Sequence, residues 1–426
     1  MTEPVAVARA RPSRPGAGAA SRNVRGCRAA VGVLLLAATV QCAPAGGFTQ
    51  GSVHPRDVVT WAAAAQRLGE GVPGSGHRLV VHTSVGGTAP RIRLSNAHGD
   101  RPVTFDSAYA GLRDRGAALV RGTNRRLTFD GEPSVTVPPG RAALSDPARL
   151  TVPASADLVV SFHSPDAAGP ATGHWLAMQT SYVTRGDHAA QESAAHWART
   201  TYSWIHLDAV SVRPARRAGA VAVLGDSLTD GWRSTAGANR RWPDLLAERL
   251  RHAGAPVRGV ANAGLAGGKV LADGAGPSTL HRLGRDALAR PGVRTVFLFQ
   301  GINDIKYRPG ATAPELLAGY RRIVARAHAA GKCVVGATLA PFKGWAEWTP
   351  AAEAVRQDVN RAIRRDGLFD AVADFDRALR DPLRPRHLRP AHDSGDHLHL
   401  NDRGMRALAD AVDLTSLECR NGPDAG

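Results

Sequence analysis

The sequence predicts an α/β protein in which a three-layer α/β/α domain with a parallel sheet follows an antiparallel, jelly-roll-like β sandwich. Three observations predict this fold class. Residues 51–213 contain short alternating or β-branched runs separated by Gly, Pro, Asn and Asp. After residue 220, apolar runs alternate with helical stretches, an order that requires parallel pairing of the strands. The 426 residues are 43% hydrophobic and 21% charged, which is enough for a sizeable core.

Residues 1–45 have the composition of a signal peptide. Residues 1–28 hold six arginines and one acidic residue, and the apolar run 29–40 is too short to span a bilayer. Residues 43–45 (APA) offer a small-x-small cleavage site, so we expect a secreted protein cleaved near Ala45. Lipoprotein anchoring at Cys42 is a rival hypothesis, which Gln41 disfavours because it is a poor residue to precede the modified cysteine. An uncleaved membrane anchor is a further alternative.

The formal net charge is +17, and without the six arginines and one glutamate of the leader it is +12. Basic proteins can attract nucleic acids, anionic glycans or membranes. The positive charge is mainly arginine, scattered in pairs such as Arg216 and Arg217, with no basic run interleaved with aromatic residues. We expect no nucleic-acid partner. We also expect no integral membrane span in the mature chain and a monomeric protein.

Residues 51–213 form the predicted β-sandwich domain. Its β-like runs include HRLVVHTSV at 77–85, PRIRLSN at 90–96 and ADLVVSFHS at 156–164, each bounded by turn residues. No long helical periodicity separates these runs, so we expect antiparallel strands in two packed sheets. Residues 214–219 (PARRAG) are expected to be a short linker.

Residues 220–413 form the predicted α/β domain, and residues 414–426 a C-terminal tail. The predicted strands lie at 221–225, 257–264, 293–301 and 333–341, and the predicted helices at 240–254, 278–289, 315–331 and 351–367. In an open α/β sheet the carboxyl ends of the strands meet at one edge, where ligands bind. We therefore expect the functional residues at that edge.

Four segments at this edge carry polar residues that stability does not require. Ser227 follows the first strand, NAGLAGG at 262–268 follows the second, Asn303 and Asp304 follow the third, and DHLH at 396–399 precedes the last helix. Taken singly, each segment could be a turn, a helix cap or a solvated loop. Their order and their common location favour a shared site.

Ester cleavage needs a nucleophile, a base, a group that orients the base, and donors for the developing oxyanion. Ser227 is the candidate nucleophile because a hydroxyl at a tight turn is exposed. His399 is the candidate base, and Asp396 can accept a hydrogen bond from its other ring nitrogen. The backbone amides of Ser227 and Gly267 and the side-chain amide of Asn303 are the candidate oxyanion donors.

The segments GDSLTDG, NAGLAGG, GIND and DHLH, in this order, resemble the four signature blocks of the SGNH hydrolase family, also called GDSL esterases and lipases. The resemblance covers residues 220 to about 413. It implies Ser227 as the nucleophile, Asp396 and His399 as the rest of the triad, and Gly267 and Asn303 as oxyanion donors beside the Ser227 amide.

The glycine donor rests on the family spacing. Gly267 is sixth from Asn262, where the family's donor usually falls, and Gly264 and Gly268 stay as alternatives. Two residues at the fourth block do not match the family's pattern of functional residues. His397 falls outside the family's Asp-x-x-His spacing, and Leu400 replaces the proline that often follows the histidine.

The N-terminal region contains GGTAPRIRLSNAHGDRP at 86–102. This segment resembles the β-rich domain that precedes the catalytic domain in many secreted actinobacterial members of the family. The resemblance does not identify a ligand for that domain.

Other kinds of site fit less well. An α/β-hydrolase elbow needs Gly-x-Ser-x-Gly, and Thr229 stands at the second glycine. No phosphate-binding loop is present in the sequence. A metal site would use the imidazoles and carboxylates of the last block, but it would leave Ser227 and Asn303 without a role; its candidate ligands are His392, Asp393, Asp396, His397 and His399. We expect no metal and no cofactor.

The positions of the four cysteines agree with the expectation of a secreted protein. Cys27 and Cys42 lie in the leader, so Cys333 and Cys419 are the two left in the mature chain. In an oxidising compartment we expect these two to form a disulfide.

Taken together, the sequence predicts a secreted serine carboxylic ester hydrolase that forms an acyl-enzyme on Ser227. Small acyl esters or acylated carbohydrate are the expected substrates, because a β domain accompanies the catalytic domain and no long apolar lid is evident. A lipase or phospholipase and an acyltransferase are alternatives, although activated acyl donors are scarce outside the cell. A glycan-binding protein with a non-catalytic scaffold is the alternative from a different class.

Overall fold

The computed structural model describes residues 53–307 and 310–419. The predicted signal peptide therefore lies outside the described residues, as do residues 420–426 of the predicted tail. Within the described ranges the predicted fold class is confirmed: antiparallel sheets come first, and a parallel sheet with helices on both faces follows. Among these residues, no helix is both long and apolar enough to span a membrane.

The antiparallel part contains strands β1 to β16. They lie at Val58–Ala62, Gln66–Glu70, Ser75–His82, Gly87–Ser95, Val103–Phe105, Ser107–Leu112, Arg125–Arg126, Val135–Val137, Ala142–Leu144, Thr151–Val152, Asp157–Ser164, Pro170–His174, Ser181–Arg185, Arg199–Thr201, Trp204–Ile205 and Leu207–Arg213. One sheet has the order β1-β16-β4-β10 with β9 beside β4, a six-stranded sheet has the order β14-β13-β3-β11-β6-β7, and smaller sheets pair β15-β12-β2 and β5-β8.

The parallel sheet has five strands in the order β18-β17-β19-β20-β21. In chain order, β17 to β21 lie at Gly219–Gly225, Val257–Gly264, Val293–Phe299, Cys333–Ala337 and Ala371–Ala373. Strand β17 lies between β18 on one side and β19 on the other, so the direction of the strand order reverses here. Such a reversal of strand order is where open α/β sheets bind ligands.

Helices α1 to α8 connect these strands. They lie at Ser227–Asp230, Trp242–His252, Thr279–Leu283, Ile302–Lys306, Ala313–Ala329, Pro350–Arg365, Phe375–Leu379 and Asp402–Asp410. A π-helical turn at Gly284–Leu288 extends α3, and a 3-10 turn at Leu414–Glu418 follows α8. The four long predicted helical stretches are thus present, with ends that differ by a few residues from the predicted ones.

Side chains along β17 point alternately to the two faces of the parallel sheet, and helices pack on both faces. Val221 and Val223 pack into a core with residues of α2, α7 and α8. Ala222 and Leu224 point the other way, into a core that includes residues of α3, α5 and α6. All four side chains are fully buried, as expected for the central strand of a parallel sheet.

The β sandwich packs directly on the α/β domain. The core on the α3, α5 and α6 side of the sheet continues into the interior of the sandwich without a break. Val59 of β1 donates a backbone hydrogen bond to Pro291 at 2.9 Å, and the Ser84 hydroxyl accepts one from Val260 of β18 at 2.9 Å. Gly259 fits there because a β-carbon would lie 2.4 Å from the Val59 carbonyl oxygen.

A disulfide joins Cys333 at the start of β20 to Cys419, with Cα atoms 5.6 Å apart. The connection closes a segment of 86 residues and holds the end of the described chain against the parallel sheet.

Candidate active site

The candidate nucleophile lies where β17 turns into α1. Gly225 is the last residue of the strand, and a β-carbon there would lie 2.1 Å from Thr229 Oγ1, so the turn requires glycine. Asp226 caps α1 by accepting a hydrogen bond from the Leu228 amide at 3.1 Å. Burial raises the pKa of Asp226 to about 7. Ser227 begins the helix with its side chain facing the site.

Ser227, His399 and Asp396 form a continuous chain of hydrogen bonds. Ser227 Oγ lies 3.0 Å from His399 Nε2, and His399 Nδ1 lies 2.8 Å from Asp396 Oδ2. The other Asp396 oxygen accepts from the backbone amides of Leu398 and His399 at 3.0 and 2.8 Å, which fixes the carboxylate in its own loop. The structure therefore brings Ser227 together with His399, which lies 172 positions away in the sequence, and with the neighbouring Asp396.

The electrostatics suit a neutral imidazole that accepts a proton. Burial lowers the pKa of His399, and Asp396 offsets this only in part, while Lys306 and Arg233 lower it further. Burial would raise the pKa of Asp396, but the hydrogen bonds from His399 and Leu398 outweigh it, so this pKa lies below its usual value. At neutral pH the pair is a neutral histidine beside a carboxylate.

Three hydrogen-bond donors are the predicted candidates for the oxyanion hole. In the described part of the chain, the backbone amides of Ser227 and Gly267 donate to no protein acceptor. Asn303 is 2% exposed, and one hydrogen of its side-chain amide binds the Gly268 carbonyl oxygen at 3.0 Å, which leaves the second hydrogen free.

The other two glycines of the loop have amides already in use. Gly264 donates to the Asn262 side chain at 2.9 Å, and Gly268 donates to the Leu265 carbonyl at 2.8 Å. These contacts favour Gly267 among the three alternatives.

Residues 223–407 match the family model described as GDSL-like Lipase/Acylhydrolase family. The chain contains a GDSL-like lipase/acylhydrolase domain. The match confirms the family resemblance that the four sequence blocks indicated. It also confirms the expectation of a carboxylic ester hydrolase.

Several solved structures are similar to this chain, and no curated protein sequence matches it. The native aryl esterase of M. smegmatis is 18% identical, with 48% of this chain and 100% of that chain covered and a TM-score of 0.38. A carbohydrate acetylesterase from Sinorhizobium meliloti is 17% identical, with 45% and 95% covered and a TM-score of 0.37. An acetylxylan esterase from Geobacillus stearothermophilus is 21% identical, with 47% and 94% covered and a TM-score of 0.36.

Asp304 fixes the loop that carries Gly267, the predicted oxyanion donor of the GDSL domain. Its carboxylate accepts hydrogen bonds from the backbone amides of Val270 and Leu271 at 2.9 to 3.1 Å. Since Asp304 directly follows Asn303, one short helix both supplies a donor and fixes the loop that carries Gly267. From the sequence, Asp304 could only be assigned a capping role.

Asp230 links α1, which carries the candidate nucleophile, to the β sandwich, a contact that sequence reasoning missed. One oxygen of Asp230 accepts from the Ala266 amide at 2.9 Å, and the other lies 2.8 Å from His174 Nε2. Both side chains are buried. Burial alone would lower the pKa of His174, but Asp230 outweighs it and raises this pKa. Asp230 belongs to the GDSLTDG block, so its position was available as a signal, whereas its partner was not.

Arg282 holds two strand ends behind the site. Its buried guanidinium donates to the carbonyl oxygens of Ala263 and Gly225 at 2.6 and 3.1 Å and pairs with Asp286 at 3.3 Å. The ends of β17 and β18 are thus fixed by one side chain. Nothing in the local sequence around Arg282 indicates this function.

Aromatic rings surround the candidate base. The rings of Trp345 and Trp232 lie 5.6 and 6.3 Å from the His399 ring. Trp175 of the β sandwich lies 5.6 Å from Trp232, and Lys306 Nζ lies 4.9 Å from the Trp345 ring. These tryptophans are far apart in the sequence, and no motif predicted that they would meet.

His397 lies apart from the triad, as its spacing suggested. Its Nδ1 atom lies 2.7 Å from Asp393 Oδ2, and its side chain is 53% exposed. Leu400, at the position of the family's usual proline, is fully buried. Among residues 53–307 and 310–419, no group of three or more His, Cys, Asp or Glu side chains has a metal-binding arrangement.

Proposed function

We propose that the protein is a secreted serine esterase that cleaves small acyl esters or acylated carbohydrate through an acyl-enzyme on Ser227. The observation that carries this proposal is the hydrogen-bonded series from Ser227 through His399 to Asp396. Secretion rests on the composition of residues 1–45.

The first chemical step is attack by Ser227 Oγ on the ester carbonyl carbon. His399 Nε2 takes the hydroxyl proton, and Asp396 stabilises the imidazolium and holds its tautomer. The carbonyl oxygen becomes an oxyanion that accepts hydrogen bonds from the Ser227 and Gly267 amides and from Asn303. Each such donor lowers the barrier by about 3 kcal/mol.

The next steps return the enzyme to its starting state. As the tetrahedral intermediate collapses, the bond to the alcohol breaks, and the alcohol leaves with the proton from His399. Water then attacks the acyl group on Ser227 with His399 as the base, and the carboxylic acid departs. An alcohol in place of water would make the enzyme an acyltransferase, and the products distinguish the two: a free acid or a new ester.

The test compares wild type with Ser227→Ala on nitrophenyl acetate. We expect Ser227→Ala to retain less than about a thousandth of kcat. Ser193→Ala is the matched control, because Ser193 is exposed and its hydroxyl accepts only from the nearby Ala195 amide. Equal turnover by wild type and Ser227→Ala would refute the nucleophile, and turnover lost equally in Ser193→Ala would make the loss unspecific.

A further inference from the structure

A cleft in the β sandwich has a volume of about 560 Å³. One wall comes from the three-stranded sheet, with Leu68, Ala171 and Ile205. The other wall comes from β3, β13 and β14 of the six-stranded sheet, with His77 and Val183 among its residues. The cleft is of the size that ligand sites of proteins usually have.

Strand register explains how polar groups enter this cleft. Val183 pairs with His77 on one side and with Arg199 on the other, and residues paired in this way point to the same face of a sheet. Arg185, two residues along β13, shares that face and pairs with Ser75. In the described part of the chain, neither Arg185 nor Arg199 forms an ion pair. Two guanidiniums thus face the cleft with their donors available.

Trp175 connects the cleft to the catalytic centre. It lines the cleft, is 39% exposed and contacts Trp232, which in turn contacts His399. The preceding residue, His174, forms the buried pair with Asp230 of the nucleophile helix. That pair fixes the end of β12 against α1 and so holds Trp175 next to Trp232. The side chains of His399, Trp232 and Trp175 thus form a continuous series from the candidate base to the β sandwich.

We propose that this cleft binds the glycan part of the ester substrate, which extends from the acyl group at Ser227 over Trp232 and Trp175 onto the β sandwich. The proposal rests on the esterase function proposed above. It makes the β domain part of the substrate site and gives a reason for the direct contact between the two domains.

The chemistry of the cleft suits a sugar chain. A pyranose ring has an apolar C–H face that packs on an indole, and hydroxyl groups around its edge that need polar partners. The cleft offers both, with Trp175 at its rim and hydroxyl or charged side chains on its walls; these are Glu70, Ser75, Thr184, Arg185, Arg199, Thr201 and Ser203. A hydrocarbon chain would take these groups from water without hydrogen-bond partners, which costs free energy.

The two unpaired arginines favour a glycan that carries carboxylates. Arginine binds a carboxylate with two parallel hydrogen bonds, which are stronger than bonds between neutral groups. Glu70 is the one acidic side chain that lines the cleft. We therefore expect a preference for oligosaccharides that contain uronic acid.

The test measures kcat/KM on an acetylated, uronate-bearing hexasaccharide, on a neutral acetylated hexasaccharide and on nitrophenyl acetate. The readout is the ratio of each hexasaccharide value to the nitrophenyl value. We expect Trp175→Ala to lower both ratios about tenfold through a higher KM for the hexasaccharides. We expect Arg199→Ala to lower mainly the ratio for the uronate-bearing hexasaccharide. Val183→Trp, which fills the cleft, should lower both. Arg115→Ala, an exposed arginine outside the cleft, should change neither.

Ratios that stay at the wild-type value in Trp175→Ala and Val183→Trp would overturn the proposal. A loss of kcat/KM on long-chain glycerol esters, with none on the hexasaccharides, would overturn it as well. An Arg199→Ala effect of equal size on both hexasaccharides would refute the preference for carboxylates. A wild type that fails to cleave nitrophenyl acetate would refute the esterase function instead. Binding of the unacetylated uronate hexasaccharide to Ser227→Ala, measured by calorimetry, checks the cleft without turnover and should weaken when Trp175→Ala is added.

Discussion

Gly267 has a φ of +74°, a conformation in which a residue with a β-carbon is strained. A β-carbon there would also lie 2.9 Å from the Ala275 side chain. The loop uses the amides of its other two glycines, so its conformation leaves the Gly267 amide without an internal acceptor. The free Gly267 amide is thus a property of this backbone. The glycine spacing in the sequence could therefore suggest this donor but could not exclude Gly264 and Gly268.

Asn303 is the proposed oxyanion donor that can be removed by substitution. We expect Asn303→Ala to lower kcat by about 100-fold to 1,000-fold with little change in KM, because the donor acts on the developing charge of the transition state. Steady-state kinetics on nitrophenyl acetate check this. Asn124→Ala is the matched control, since its side-chain amide also donates to backbone carbonyls, but in the β sandwich. A change confined to KM would contradict the role of Asn303 in the transition state.

The pH profile of kcat/KM reports the state of His399. The base must be neutral to take the Ser227 proton, and burial lowers the His399 pKa below its ordinary value of 6.5. Activity should therefore be full at pH 7 and fall as the pH drops through a value below 6.5. A half-point at or above pH 7 on this acidic limb would contradict the buried, neutral histidine.

At the scale of elements, one buried pair joins β12 to α1. His174 and Asp230 each have 2% of their side chain exposed, and the Ala64 carbonyl occupies the second ring nitrogen of His174. Breaking a buried pair by removing one partner typically costs about 3 to 5 kcal/mol, since the other partner is left without compensation. The helix α1, which carries the proposed nucleophile, is therefore stabilised by a residue of the β sandwich.

This pair gives a pH-dependent contribution to stability. The folded-state pKa of His174 is raised, so its contribution is fully present below the unfolded value of about 6.5 and is lost as the pH rises through the folded value. We expect the difference in unfolding free energy between wild type and His174→Gln to be larger at pH 6 than at pH 9. Urea denaturation at the two pH values measures it.

His328→Gln is the matched control for His174→Gln. His328 pairs with Asp370 at 2.9 Å, but its side chain is 37% exposed, so solvent screens the pair. Its substitution should change the unfolding free energy by less than about 1 kcal/mol. Equal pH dependence in the two variants would contradict a special role of the buried pair.

The elements also show which features a sequence can predict. The strands β17 to β20 and the long helices were predicted because apolar periodicity marks them locally. The start of α5 was placed at 315, two residues late, because the capping box of Thr312 and Glu315 was not used. Strand β21 has only three residues, too few for a periodic pattern, and it was missed. Ser227, His399 and Asp396 could be placed because each lies in a recognisable block. His174, Trp175 and Trp345 could not, because their roles depend on contacts with distant elements.

At the scale of the whole molecule, the core and a charge network cross from one domain to the other. Asp208 of the β sandwich is buried and pairs with Arg93 of the same domain and with Arg290 of the α/β domain, the latter at 3.4 Å. Burial would raise the pKa of Asp208, but these arginines outweigh it and lower this pKa. The predicted six-residue linker at 214–219 therefore joins two units whose interiors are continuous.

Because the core is continuous, we expect the two predicted domains to unfold in a single cooperative transition. Asp208→Asn should lower the midpoint of that transition without splitting it, as it removes the buried carboxylate that pairs with both Arg93 and Arg290. Differential scanning calorimetry of wild type and variant checks this. Two separate transitions in the wild type would show that the domains are independent.

The central claim is that Ser227 carries the acyl group during turnover. Mass spectrometry of the enzyme quenched during the hydrolysis of a slowly deacylating nitrophenyl ester tests it most directly. We predict one acyl group per chain, located by peptide mapping on Ser227 and absent from Ser227→Ala. Turnover with no acyl group on Ser227, or an acyl group on another residue of an active enzyme, would contradict the account.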